Sequence, residues 1–445
     1  MHINLVWDKW LDTPLPNGLH PKYYPEWHTK WKNNYSTNVL TRFVPLDRYN
    51  LGFFPLLLSS ASITYSDIEV DKAVDNQLNW YVMEPNHMDL SLIVENMFGN
   101  ISEQAIEKMK AGTIKLVLYY AYEAFPLNQV NWMNTVERSL GWLGIPPESV
   151  IFIFGDQNLG ANMEHLSTQP NFYNWHFGNA FVFDHFGWEF SDYCKNLVGK
   201  FGTDELVVPI PATRDNKRNK KFLCLNGGGR PHRKWLMTEL KRNNLLEEGY
   251  VSYLNKFDIP YQPEEFVWYP TVRATGDRTM IDMLEYHHKH GNSIEERLLD
   301  VDASQDAWHN RGMTASHYAD SYFNVTSETW PAEPSFFVTE KIFKPIVNLQ
   351  PFIIVGHPGL LAYLKDKGFE TYPEWFNEEY DGITDHKKRL HMVMENIKRV
   401  SSYSHDELHE MYKKSWDKLL RNRQRFFDYN WLSDFNELVE AMKKI

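Results

Sequence analysis

The sequence predicts an α/β protein of two domains, and three observations carry that prediction. The chain has 445 residues, more than one ordinary core accommodates, so two domains of roughly 200 residues each are expected. Short β-rich runs alternate with segments long enough for helices, the pattern of parallel strands joined by helical crossovers. The alternation pauses at a proline-containing charged stretch, VPIPATRDNKRNKK (Val208 to Lys221), and then begins again.

In chain order, residues 1–60 are rich in aromatics and read as an irregular extension. TIKLVLYYAYE (Thr113 to Glu123), SVIFIFGDQN (Ser149 to Asn158) and AFVFDH (Ala180 to His185) read as strands of the first domain. In the second half, strand KFLCLN (Lys221 to Asn226) leads through GGGRP into the amphipathic helix HRKWLMTELKRNNLL, with strand YVSYL after it. Strand SYFNVTS, helix TEKIFKPIVN, strand PFIIVG and helix PGLLAYLKDKG continue the second domain. From about Asp406 to Ile445, periodic Leu, Met, Trp and Phe positions predict helices that pack back on the first domain. The expected domains are therefore 1–212, 213–405 and a helical tail, 406–445, with the two α/β domains facing a cleft.

Composition narrows the function. Apolar residues make up 43% and aromatics 15% of the chain, which describes a globular protein rich in pocket-forming rings. The longest apolar run, FFPLLLSSA (Phe53 to Ala61), falls short of the ~20 residues that cross a bilayer, so no membrane span is expected. Two cysteines, Cys194 and Cys224, are too few for a disulfide framework, and the N-terminus lacks the basic and apolar regions of a secretory signal. A cytoplasmic location is expected, with the sequons at Asn34, Asn100 and Asn324 as chance matches. The net charge of −12 argues against indiscriminate nucleic-acid binding. From Arg214 to Arg242, however, ten Lys or Arg face only Asp215 and Glu239, a local basic concentration.

Ligands of open parallel sheets bind beyond the carboxyl ends of the strands, and two motifs are placed there. Gly227, Gly228 and Gly229 permit positive φ and close backbone approach, while Arg230 and Arg233 flank the start of the next helix, a combination suited to an anion. The spacing is neither that of a Walker loop nor GxGxxG. Second, the stretch FNVTSETWPAEPSFFVTEKIFKPIVNLQPFIIVG (Phe323 to Gly356) sets Glu328, Thr339, Glu340 and Lys341 beside core-like apolar runs.

Here the chain resembles the α-1,3-fucosyltransferase family. That family's donor signature runs F-E-N-S, a gap, D-Y-[VI]-T-E-K, an apolar helix, and a strand ending V-P-V-[VI]-x-G. This chain has FNVTSE, SFFVTEKIF and QPFIIVG in the same order, with V-T-E-K matched letter for letter. The resemblance implies two Rossmann-like domains of the GT-B type and an inverting, metal-independent glycosyltransferase with no cofactor. Its co-substrate would be a nucleotide-diphosphate sugar, a GDP-sugar or UDP-sugar. It further implies Lys341 on the donor diphosphate, Glu340 on the ribose hydroxyls, and Arg230 or Arg233 on the phosphates from the other side. Glu328 aligns with the acidic position of F-E-N-S only after a shift, and Phe337 stands where the family has Tyr.

An inverting transfer needs a general base for the acceptor hydroxyl. Glu123, just past a first-domain strand in YYAYEAFP, is the candidate beside the family's E-S-P carboxylate, with Glu84 and Asp89 in reserve. A carboxylate capping the next helix is the competing reading of Glu123. The acceptor is a glycan or a hydroxymethylated DNA base. A carbohydrate- or nucleotide-binding module without turnover is the alternative function.

Other motifs carry less. Asp300 and Asp302 form a D-V-D, but it comes after a charged helix instead of a core strand. His287, His288 and His290 read as a solvated helix end stopped by Gly291. Cys224 lies inside an apolar strand, without the paired base a nucleophile needs.

Overall fold

The computed structural model describes residues 1–7, 53–83, 101–121, 130–168, 177–200, 214–228, 230–256, 278–291, 294–295, 297, 299, 315–329 and 336–443. The chain divides into two compact units. Unit 1 comprises Met1–His185 and Leu432–Ile445, and unit 2 comprises Phe186–Trp431. Among the described residues each is built on a sheet of parallel strands with helices, and one isolated antiparallel bridge joins Tyr253 to Arg297 in unit 2.

Among its described residues unit 1 holds six strands: β1 (His2–Trp7), β2 (Thr64–Glu69), β3 (Asn79–Met83), β4 (Lys115–Tyr120), β5 (Val150–Phe154) and β6 (Ala180–Val182). They lie in the order β2-β1-β3-β4-β5-β6. All residues of β3 and β5 are buried, which is why runs such as VIFIF show no alternation: in a parallel sheet both faces are covered. Helices α1 (Phe53–Ser60), α2 (Glu103–Lys110), α3 (Val130–Leu143) and α4 (Leu159–Ser167) accompany them. Ser102 caps α2 by accepting the Ala105 N–H.

The N-terminal residues correct the sequence reading. Their composition suggests an irregular extension, yet β1 sits inside the sheet, in register with both β2 and β3. Its buried Asn4 hides the strand, because a polar residue in so short a run breaks the apolar pattern. The Asn4 side chain is satisfied by donating to Gln77 Oε1 at 2.7 Å and Asn79 Oδ1 at 2.9 Å.

Unit 2 begins within α5 (His185–Lys200), whose first residue belongs to unit 1. Its strands are β7 (Lys220–Gly228), β8 (Gly249–Lys256), β9 (Ser321–Ser327) and β10 (Phe352–Val355), in the order β10-β9-β7-β8. Helix α6 (Pro231–Arg242) succeeds β7 with Pro at its first position and basic residues in its last turn, the usual polarity of a helix. Then come α7 (Thr279–His290), α8 (Ala315–Ala319), a 3₁₀ turn (Glu340–Ile342) running into α9 (Phe343–Val347), and α10 (Leu360–Asp366). Two long helices complete the unit, α11 (His386–Ser401) and α12 (His405–Asp428). Ser404 and Glu407 form a reciprocal capping box at the start of α12. The last helix, α13 (Ser433–Met442), belongs to unit 1, where Phe435 packs edge-on to Phe54.

No helix among the described residues is long and apolar enough to cross a membrane. Asn324 is buried in β9 with its amide donating to Gln350 Oε1, so this sequon is closed to modification in the folded chain.

Candidate functional site

The topology of unit 2 singles out one place. From β7 the chain moves to β8 on one side, whereas from β9 it moves to β10 on the other. Adjacent strands whose connections diverge leave a crevice at their carboxyl ends. Both sequence motifs lie there: Gly227 and Gly228 end β7, Arg230 precedes α6, and Glu328 follows β9.

Glu328 is the centre of the cluster. It is fully buried (0% exposed), and its Oε2 accepts from the Thr339 hydroxyl at 2.6 Å and the Thr329 N–H at 3.2 Å. Burial pushes its carboxyl above the usual range, against the pull of Lys341 and Thr339. Thr339 also caps the 3₁₀ turn and receives the Lys341 ammonium at 3.2 Å. Glu340, 1% exposed, pairs with Lys341 at 3.0 Å and with Lys344 at 3.9 Å. Burial alone would raise its carboxyl, but the two ammonium groups outweigh that and hold it below the usual range. Lys344 bears the complementary cost: burial brings it down to about 8.

From the other side, α6 ties down the end of β9. Arg233 is 5% exposed, and its guanidinium donates to Ser327 Oγ (3.3 Å), Ser327 O (3.2 Å) and Glu328 O (3.1 Å). Burial lowers it to about 10, still charged at neutral pH. His232 Nε2 lies 2.9 Å from the same Glu328 carbonyl. Burial and the neighbouring Arg233 hold this ring far below its ordinary value, so it is neutral and donates from Nε2. Arg230 occupies the helix N-cap position with extended backbone and is partly exposed. Of the two arginines, Arg230 is the accessible one and Arg233 is a clamp.

Three buried acceptor oxygens at this end have no hydrogen-bond partner among the described residues: Asn226 Oδ1, Glu328 Oε1 and Glu340 Oε2. Unsatisfied buried acceptors are rare, and three of them at this end of the sheet set the place apart. Four cations, Arg230, Arg233, Lys341 and Lys344, surround two carboxylates, leaving an excess of positive charge for an anion. The Lys341 side chain, 26% exposed, is the least buried member of its ion-pair group.

The glycines depart from the sequence reading, which ends the strand at Asn226. Gly227 and Gly228 extend β7, with a register shift between Asn226 and Gly228 against β8, and Gly227 is not in the left-handed region. An added Cβ at Gly227 would meet nothing within 4 Å among the described residues. Gly229 lies outside the described residues, as do Glu123, Glu84, Asp89, Asp300 and Asp302. Phe337 is buried edge-on to Phe186.

Sequence reasoning brings Glu328, Thr339, Glu340 and Lys341 together but misses Lys344, His232 and Asn226. Lys344 is within its reach, since it stands four residues after Glu340, the spacing of facing helical side chains. His232 and Asn226 act through strand register, which no local pattern announces.

Folding also disperses the basic segment. Arg214, Lys217, Arg218, Lys220 and Lys221 lie at the amino end of β7, roughly 25 Å of strand away from Gly228. There Lys217 pairs with Asp406 at 2.6 Å, Arg218 stacks 3.6 Å from the Tyr412 ring centroid, and Lys221 pairs with Glu248 at 2.8 Å. Lys241 and Arg242 are at the far end of α6. Only Arg230, Arg233 and Lys234 of the ten stay at the carboxyl end.

Neither cysteine is reactive by environment: both are buried, and burial pushes each thiol up to about 12. His287 Nδ1 shares a hydrogen bond of 2.7 Å with the Thr238 hydroxyl, and no cluster of His, Cys, Asp or Glu among the described residues could hold a metal. Gly291 ends α7 without a left-handed φ. It is there for room, since a Cβ would run into Thr238 Oγ1 and the His287 ring.

Compared with known families, with curated proteins and with solved structures, the chain matches none. The likeness to the α-1,3-fucosyltransferases therefore rests on the motifs themselves.

Proposed function

We propose that the protein is a glycosyltransferase that moves a sugar from a nucleotide-diphosphate donor to a hydroxyl acceptor, by an inverting and metal-independent transfer. The observation that carries this reading is the cluster at the switch point of unit 2, where cations in excess stand beside buried acceptor oxygens without partners among the described residues. A nucleotide sugar offers both complements, an anionic diphosphate and a set of hydroxyl donors. Arg230 and Lys341 meet the diphosphate and stabilise the charge that develops on the leaving nucleotide. Glu340 and Glu328 accept from hydroxyls, and Thr339 and Arg233 keep the two carboxylates and the strand end in place.

Glu123 is the proposed base that deprotonates the acceptor, with Glu84 and Asp89 as the other candidates. The donor is a GDP-sugar or UDP-sugar by the V-T-E-K resemblance. Dispersal of the basic residues removes the continuous cationic face that a DNA acceptor calls for, so a glycan acceptor is favoured over a hydroxymethylated base.

The experiment is a mass-spectrometric transfer screen in EDTA, with a panel of nucleotide sugars against simple glycans and hydroxymethylated DNA. Release of a nucleoside diphosphate with a matching mass gain on one acceptor is the expected result. A donor that raises the melting temperature but is never consumed would make the protein a binding module instead.

A further inference from the structure

We infer that His357, on the loop leaving β10, is the surface on which a flat ring of the ligand stacks. A nucleoside diphosphate would then lie across three strand ends, with its phosphates over β7 and its base over β10. This rests on the nucleotide reading of the same site and assigns its orientation.

Strands β7, β9 and β10 are consecutive neighbours, so their ends span about 10 Å at the ordinary strand spacing. The β7 end offers Gly227, where an added Cβ would meet nothing within 4 Å among the described residues, and the partly exposed Arg230. The β9 end offers Glu328, with Glu340 and Lys341 beside it. At the β10 end, Gly356 lets the backbone run close to Glu328: a Cβ there would lie 3.2 Å from Glu328 Cβ. The next residue is His357, partly exposed.

Its ring packs on Phe336, which Tyr363 backs in turn. The Phe336 ring lies 5.0 Å from that of His357 at 37°, and Tyr363 meets Phe336 edge-on at 5.7 Å. Phe336 is buried and stands three residues before Thr339, the residue whose hydroxyl binds Glu328. His357 Nδ1 is 2.6 Å from the Pro358 carbonyl and so carries a proton. The loop itself is fixed. Gly359 adopts φ 89° and donates to Asp381 O, and the Asp381 carboxylate accepts the Leu361 and Ala362 N–H groups at 3.0 and 3.1 Å. A ring fixed before the ligand arrives costs little to order on binding.

The chemistry separates this platform from the ionic cluster. Cations and carboxylates recognise any hydroxylated polyphosphate, whereas a ring face adds affinity only for a ligand with a ring of its own. The test is calorimetric titration of GDP, UDP, ADP, CDP and inorganic pyrophosphate into the wild type, His357→Ala, His357→Phe and Lys341→Ala. The expected pattern has His357→Ala weakening the best nucleoside diphosphate about tenfold, with pyrophosphate unchanged and His357→Phe within about twofold of the wild type. Lys341→Ala weakens both ligands. Should the alanine variant fail to fold, His357→Phe against His357→Asn carries the same comparison. A nucleotide bound equally well without the ring, or a loss shared equally by pyrophosphate, overturns the inference while leaving the nucleotide site standing. If no nucleoside diphosphate binds more tightly than pyrophosphate, the nucleotide reading falls and the platform with it.

Discussion

Unit 1 and unit 2 share a strand plan: β2-β1-β3-β4 in the first has the same sequence of moves as β8-β7-β9-β10 in the second, and unit 1 adds β5 and β6. The segments that leave the strands differ. After β5, Asp156 commits its carboxylate to its own turn, accepting the Asn158 N–H at 2.8 Å and the Asn162 amide at 2.6 Å. After β6, His185 shares a hydrogen bond of 2.7 Å with the Tyr119 hydroxyl. In unit 2, Glu328 and Glu340 are just as buried, yet each keeps one oxygen without a partner among the described residues. The sheet supplies the shelf in both cases. The proposed binding site is where the fold leaves acceptors and cations over after satisfying itself.

The first way to challenge this contrast is structural. Arg233→Ala leaves the Ser327 and Glu328 carbonyls buried without their guanidinium and should cost roughly 3–5 kcal/mol in denaturant unfolding. Asp156→Ala, which removes bonds within one turn, should cost about 1–2 kcal/mol. Equal losses would mean that the two strand ends are held in the same way.

Next is ligand affinity. Lys341→Ala should weaken binding of the preferred nucleoside diphosphate roughly 10- to 100-fold, the size of a charge-assisted contact, with a smaller loss of stability because Lys344 still pairs with the buried Glu340. Isothermal titration reads the first quantity and thermal melting the second; a stability loss without an affinity loss would reduce Lys341 to a structural ion pair.

A pH series bears on the same point. Lys344 faces Glu340, Lys341, Glu328 and Cys194, and burial lowers it from 10.5 to about 8. Between those values the unfolded chain holds the proton and the folded one does not, so this group makes stability rise with pH across that window. Affinity should move oppositely, falling as pH passes about 8, because the site loses one of its cations while the phosphates are already ionised. An affinity flat across that value would place Lys344 outside the ligand's field.

The least change is expected at Gly227→Ala. An added Cβ meets nothing within 4 Å among the described residues, so stability should stay within about 0.5 kcal/mol of the wild type. Diphosphate affinity should still fall several-fold if the ligand packs against that backbone, and unchanged affinity would move the phosphates elsewhere.

Much of this is legible in the sequence. Runs such as KLVLYY, VIFIF and FIIV are continuous because parallel strands are covered on both faces, and they announce β4, β5 and β10. Strand β2, TYSDIE, is an edge strand with no fully buried residue, so it gives no such signal. At the site, V-T-E-K gathers Thr339, Glu340 and Lys341 because those residues are adjacent in sequence. Arg233 is legible as a cation but not as a clamp, since its partners are 94 and 95 residues away. His357 looks like part of a turn, and only the packing of Phe336 gives its ring a direction.

Hydrogen–deuterium exchange, with and without a saturating nucleoside diphosphate, reads the location of the site without presupposing it. The site assigned to unit 2 predicts new protection in peptides covering residues 226–236, 326–329 and 336–345, with no change in 115–121 or 150–163. Protection confined to the unit 1 peptides, with the β7 and β9 ends unchanged, would contradict it.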